Sequence, residues 1–143
     1  MRFWDSSAIV PLCLDEPRSA RLKRLAEEDR SLVVWWTALV ECYSTFARLR
    51  REGILSRTEE NQARQLTIRL LAEWTEIEPS NKVRDQAGRI LLLHPLRAAD
   101  SLQLAAALVW ADGHPAGHEL VCLDQKLRAA AQREGFTILP DSA

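Results

Sequence analysis

Five short apolar runs, separated by stretches of helical periodicity, constrain this chain most. RFWD (2–5) reads as a short buried strand. SLVVWW (31–36) is β-branched and aromatic, ELVCL (119–123) is continuously apolar, FTIL (136–139) is similar, and TEIEP (75–79) is weaker. Runs this short, with these residue types, suit buried strands. Helical patterns fill the intervals at 8–14, 19–29, 38–51, 57–73, 81–93, 99–111 and 125–134. Strands alternating with helices imply a mainly parallel sheet with helical layers, an α/β class.

Local signals refine these elements. Ser6 and Ser7 offer N-cap hydroxyls to the helix AIVPLCL, with Pro11 near its first turn. Thr37 can cap the helix 38–51, whose apolar face is Leu39, Cys42, Tyr43 and Phe46 and whose end is Gly53. The next helix aligns Ala63, Leu66, Leu70 and Trp74. His94-Pro95 stops the helix 81–93. Residues 99–111 are apolar almost all round, so this helix should be buried on most sides.

With 143 residues, 47% of them apolar and 27% charged, the chain can bury a substantial core as one domain, 1–143. A net charge of -1 argues against a strongly basic nucleic-acid binder, although local patches can still hold nucleic acid. Three widely spaced cysteines without a CxxC pair fit a reducing cytoplasm. No long uncharged run suggests a membrane segment.

Four acids stand out: Asp5, Glu41, Asp100 and Asp124. Each lies in or against an apolar run, where a strand should hand over to a helix and where a carboxylate is costly unless compensated. Sites in open α/β sheets form at the carboxyl ends of strands. Carboxylates gathered there suit Mg²⁺ or Mn²⁺, and helix N-termini offset part of their repulsion. Phosphodiester chemistry is the use such a site points to.

These four segments, RFWDSS, TALVECYSTFA, LRAADSLQLAAAL and VCLDQKL, resemble those of the PIN-domain ribonucleases, specifically VapC-like toxins of toxin–antitoxin pairs. The likeness runs from Met1 to about Leu139. It implies a three-layer α/β/α sandwich and a Mg²⁺- or Mn²⁺-dependent endoribonuclease that leaves a 5′-phosphate and a 3′-hydroxyl. It also implies a VapB-like antitoxin partner and a homodimer. Asp5, Glu41, Asp100 and Asp124 would be the catalytic and metal-binding residues, with Ser7 orienting a carboxylate or a water. One departure is Cys122, where the family often has Thr or Ser; a thiol is a poorer hydrogen-bond partner than a hydroxyl.

Other readings compete. Asp5 and Asp100 could be helix caps, and Asp124 a turn residue. Glu41, between Val40 and Cys42, is least explained that way. A catalytically inactive RNA- or protein-binding scaffold is the alternative function. A receiver-like phosphoacceptor lacks the strand-end Lys it would need. Asp15, Glu16, Asp85 and Asp112 read as surface charges. His114, His118 and Cys122 share a spacing that could suggest zinc, but Pro115 and Gly117 preclude a helix there. Arg48, Arg51 and Arg57, with Arg50 and Arg64, could track an RNA backbone or simply be solvated. Trp35, Trp36, Trp74 and Trp110 read as core or dimer contacts.

Overall fold

Five parallel strands of three or four residues form the middle layer. The computed structural model describes residues 1–142. The strands are β1 (Arg2–Trp4), β2 (Leu32–Trp35), β3 (Thr75–Ile77), β4 (Glu119–Val121) and β5 (Thr137–Leu139). Their order is β3-β2-β1-β4-β5, and every pairing is parallel. The chain moves outward from β1 to one side and returns to build the other. The switch point therefore lies between β1 and β4, where ligands bind in open α/β sheets.

Seven helices complete three layers: α1 (Ser6–Cys13), α2 (Ser19–Glu28), α3 (Ala38–Arg51), α4 (Arg57–Leu71), α5 (Asn81–Leu93), α6 (Ala98–Trp110) and α7 (Gln125–Glu134). Strand side chains alternate between faces. Phe3, Val33, Trp35 and Leu120 pack with α5, α6 and α7, whereas Trp4, Val34 and Val121 pack with α1 to α4. The sandwich expected from the pattern is thus present, and its sheet is entirely parallel. Ser101 and residues 103–108 of α6 are buried, as its apolar circumference requires.

Several local expectations are corrected. Asp5, not Ser6 or Ser7, caps α1 by accepting from the Ser7 amide. The helix accordingly starts earlier, and Pro11 falls in its interior, where the Ser7 carbonyl loses its amide partner. Thr37 occupies the N-cap of α3 without a side-chain cap, because its hydroxyl is bonded to Glu41. In α4 the inward residues are Ala63 and Thr67, and Leu66 is exposed. Thr67 tolerates burial because its hydroxyl donates to the Ala63 carbonyl at 2.8 Å. Trp35 and Trp74 join the core, but Trp36 is exposed. Trp110 packs against Phe3 and meets His118 edge-on. No described helix is long and apolar enough to cross a membrane.

Candidate active site

The end of β1 delivers Asp5 to the switch point. Its amide donates to the Val121 carbonyl of β4 at 3.0 Å, which locks the two central strands together just before the acid. The Asp5 carboxylate is buried. Its Oδ2 accepts from the Ser7 amide (3.1 Å) and the Ser7 hydroxyl (2.5 Å), and the Cys122 thiol stands 3.6 Å away. Ser7 Oγ in turn accepts from the Leu123 amide at 2.9 Å. One hydroxyl thus stitches the two sides of the switch point and turns Asp5 so that Oδ1 is left free of hydrogen bonds among the described residues.

Glu41 sits one turn into α3. Its Oε2 accepts from Thr37 Oγ1 at 3.0 Å and from Gln103 Nε2 at 2.7 Å. Gln103 is only 1% exposed and lies three residues after Asp100 on α6. Its own Oε1 has no partner. A buried unsatisfied oxygen of this kind costs about 1–3 kcal/mol, a cost consistent with the amide being held toward Glu41. Sequence reasoning missed Gln103 because it is embedded in the apolar run SLQLAAAL. The usable signal was a lone amide one helical turn beyond Asp100.

Asp100 is the third residue of α6 and makes no cap; Arg97 holds the N-cap position. Its helix follows α5 rather than a strand, so the expectation of four strand-to-helix junctions holds for three acids and fails for this one. Asp124 follows β4, is exposed, and caps α7 by accepting from the Leu127 amide at 2.9 Å. Of the two acids considered as caps, Asp5 is one and Asp100 is not, whereas Asp124, considered as a turn residue, caps α7.

Electrostatics tie the four together. Burial raises the pKa of Asp5, and the charge of Asp100 raises it further. Burial, then Asp5 and Asp100, push Glu41 up to about 7. Burial and Asp124 raise Asp100, with Arg97 and Lys126 opposing. Each acid is thus within Coulombic reach of at least one other. Burial, followed by the charge of Asp5, also holds the Cys122 thiol protonated. That thiol is a long, weak partner for Asp5, and Ser7 supplies the strong bond that a hydroxyl at position 122 could have given.

The family model for the PIN domain matches residues 2–131. The chain belongs to the PIN domain family. Solved structures show the same fold. VapC20 of Mycobacterium tuberculosis, a sarcin-ricin loop cleaving toxin, matches this PIN domain at a TM-score of 0.66 and 20% identity, over 91% of this chain and 95% of its own. FitAcB from Neisseria gonorrhoeae matches at 0.67 and 15% identity, over 96% of each. A toxin–antitoxin complex from Klebsiella pneumoniae matches at 0.64 and 15% identity, over 90% of this chain and 91% of its own. No curated protein matches this chain significantly in sequence.

Whether this PIN domain fits a divalent cation can be judged from its donors. All are hard carboxylate oxygens, and each acid keeps at least one oxygen free of hydrogen bonds among the described residues. Among those residues no three His, Cys, Asp or Glu side chains are grouped closely enough to hold a metal ion as they stand. Mg²⁺ needs only one or two carboxylates and retains several waters, so the donor chemistry fits it. His114 is exposed and His118 lies edge-on to Trp110, and among the described residues they and Cys122 form no group that could hold zinc. The arginines lie elsewhere. Arg48 pairs with Glu52 at 3.5 Å, and Arg51 and Arg57 are exposed at the α3–α4 turn, with Arg51 about 15 Å along α3 from Glu41.

Proposed function

We propose that this PIN domain is a metal-dependent endoribonuclease and acts as the toxin of a toxin–antitoxin pair. The observation that carries the reading is the coupling of Asp5, Glu41, Asp100 and Asp124 at the switch point, three of them driven toward protonation by burial and one another. A site of this kind is under-compensated without a cation. The cleaving toxin and the toxin–antitoxin complex that share the fold support the biological role, with a VapB-like antitoxin as partner; a homodimer is the assembly expected from the family resemblance.

Asp5, Glu41, Asp100 and Asp124 would hold Mg²⁺ or Mn²⁺. The bound ion supplies the Lewis acid that makes water nucleophilic near neutral pH and offsets charge on the phosphodiester. The remaining work belongs to the chain. Ser7 fixes the Asp5 carboxylate through Oδ2 and leaves Oδ1 available to a cation. Thr37 and Gln103 do the same for Glu41, presenting Oε1. Arg48, Arg51 and Arg57, around the α3–α4 turn, would offer a separate basic surface to the RNA backbone. Because Ser7 satisfies Asp5 in place of a hydroxyl at position 122, Cys122 gives no reason to prefer an inactive scaffold.

The deciding experiment is incubation of the purified protein with total cellular RNA in Mg²⁺, Mn²⁺ or EDTA, beside Asp5→Asn. Discrete metal-dependent fragments, absent in the variant, are expected. Cleavage that survives Asp5→Asn or EDTA would refute the assignment.

A further inference from the structure

Trp36 is the one aromatic side chain that the fold leaves exposed among the described residues. Phe3, Trp4, Trp35, Phe46, Trp74 and Phe136 are buried, and Tyr43 and Trp110 are half-buried. Trp36 keeps 53% of its surface open, and Val40, four residues on, keeps 64%. Apolar side chains scattered singly over a surface need no explanation, but contiguous ones mark interaction sites. The backbone beneath this pair is fixed. The Trp36 amide donates to the Ile77 carbonyl at 3.1 Å, which extends the β2–β3 ladder by one bond.

Both side chains line a cavity of about 230 Å³, together with Thr37, Leu39, Leu71 and Glu76. The cavity shares a wall with the carboxylate site. Thr37 lines it, and the Thr37 hydroxyl donates to Glu41 Oε2 at 3.0 Å; Val40 directly precedes Glu41 in α3. A space of this size suits a single ring system and lies below the usual range for a cofactor or drug-sized ligand. Its rim narrows the choice of occupant. Glu76 Oε2 accepts from Trp74 Nε1 at 3.3 Å, and Glu76 Oε1 accepts no hydrogen bond among the described residues. That carboxylate repels a phosphate. An aliphatic side chain would cover it without offering a donor, which is costly. An unpaired nucleobase suits both surfaces, with a flat face for the indole and ring-edge N–H groups for the carboxylate.

We propose that this cavity is a base-stacking subsite, in which Trp36 holds an unpaired nucleobase of single-stranded RNA beside the carboxylates. The subsite rests on the nuclease reading for the identity of its ligand. Because Thr37 is wall to the cavity and partner to Glu41, the stacked nucleotide and the bond to be cut belong to one short stretch of strand. Stacking tolerates every base, since each has a π-face. Trp36 therefore contributes affinity and placement. It adds nothing to the salt dependence of binding, which comes from phosphate contacts.

The test uses the full chain in an Asp5→Asn background at constant Mg²⁺, with a fluorescein-labelled single-stranded RNA dodecamer of mixed sequence. Affinity is measured by anisotropy across a KCl series. Trp36→Ala should weaken binding by about 5- to 150-fold, the range for one stacked base. The slope of log affinity against log salt should not move, because no phosphate contact is lost. Trp36→Phe should keep most of the affinity, whereas Trp36→Leu, apolar but not flat, should lose it as alanine does. Leu92→Ala, at an exposed apolar side chain of α5, should change nothing. An abasic strand of the same length should bind wild type and Trp36→Ala alike. Unchanged affinity in Trp36→Ala, or an equal loss on the abasic strand, would overturn the subsite. So would Trp36→Leu binding as tightly as wild type, which would assign the cavity to an apolar protein segment. RNA cleavage is scored separately in the protein with Asp5 intact. Stacking behaviour without cleavage sustains the subsite and sinks the nuclease; cleavage by a protein whose RNA binding ignores Trp36 does the reverse.

Discussion

Without a cation, this protein should lose stability as pH rises, and Glu41 should account for much of the loss. Its carboxyl titrates near 4.5 in an unfolded chain and is pushed up to about 7 in the fold, first by burial and then by Asp5. Below 4.5 both states hold the proton and the group is neutral to stability. As pH climbs, the unfolded chain releases its proton first, so the folded state is progressively disfavoured until about 7, where the effect levels off. At about 1.4 kcal/mol per pKa unit the ceiling is roughly 3 kcal/mol. Glu41 is only partly shielded from water, which brings the figure to about 1–2 kcal/mol. For a chain of this size that is roughly 3–6 °C in Tm. Asp5 and Asp100 are shifted in the same direction and add to the slope. The assay is urea denaturation in EDTA at several pH values across this window, for wild type and Glu41→Gln. Glu41→Gln should flatten the curve and be the more stable protein at the alkaline end. Mn²⁺ should flatten the wild-type curve as well. Stability that rises with pH, or identical slopes in wild type and Glu41→Gln, would refute the electrostatic reasoning.

Asp100→Ala should abolish metal-dependent RNA cleavage while leaving the metal-free Tm equal or higher, because it removes a repelling charge; calorimetry and a gel assay on the same preparation check both. Ser7→Ala strips the Leu123 amide and Asp5 Oδ2 of one partner and should cost about 1–3 kcal/mol, read by urea denaturation, together with a large loss of cleavage. Gln103→Leu should leave the fold within about 1 kcal/mol of wild type, since the orphan oxygen disappears with the donor. It should nevertheless weaken Mn²⁺ binding in a thermal-shift titration, because Glu41 loses the bond that aims it. Cys122→Thr should keep or raise the Tm and retain cleavage, measured the same way.

Much of this architecture was legible because its elements obey local rules. The five apolar runs become β1 to β5, and α7 ends at Glu134, where its helical pattern stops, with Gly135 at φ 115° beyond it. The acids were legible for the opposite reason, since each is locally out of place in an apolar run. What was hidden depended on tertiary partners. Thr37 reads as a cap from its position, but its hydroxyl goes to a carboxylate one turn ahead. Gln103 reads as a stray in a core helix until α3 is set beside it. Asp100 reads as a strand-end acid, yet it is brought in by a helix that follows another helix. Leu66 continues an apolar register that α4 does not use, because Thr67 satisfies its own hydroxyl and takes the inward place.

The bond from the Leu123 amide to Ser7 Oγ joins residues 116 apart. Its partner in the same seam, from the Asp5 amide to the Val121 carbonyl, is as distant along the chain. During synthesis, a polypeptide that has emerged only as far as α6 already carries Asp5, Glu41 and Asp100, but β1 has no neighbour on its β4 side. Asp5 is then not pinned by the far strand, and Asp124 does not yet exist. The order of strands therefore acts as a timer: the carboxylate set is assembled only when the last part of the fold is in place, so the growing chain carries no complete site while it is being made.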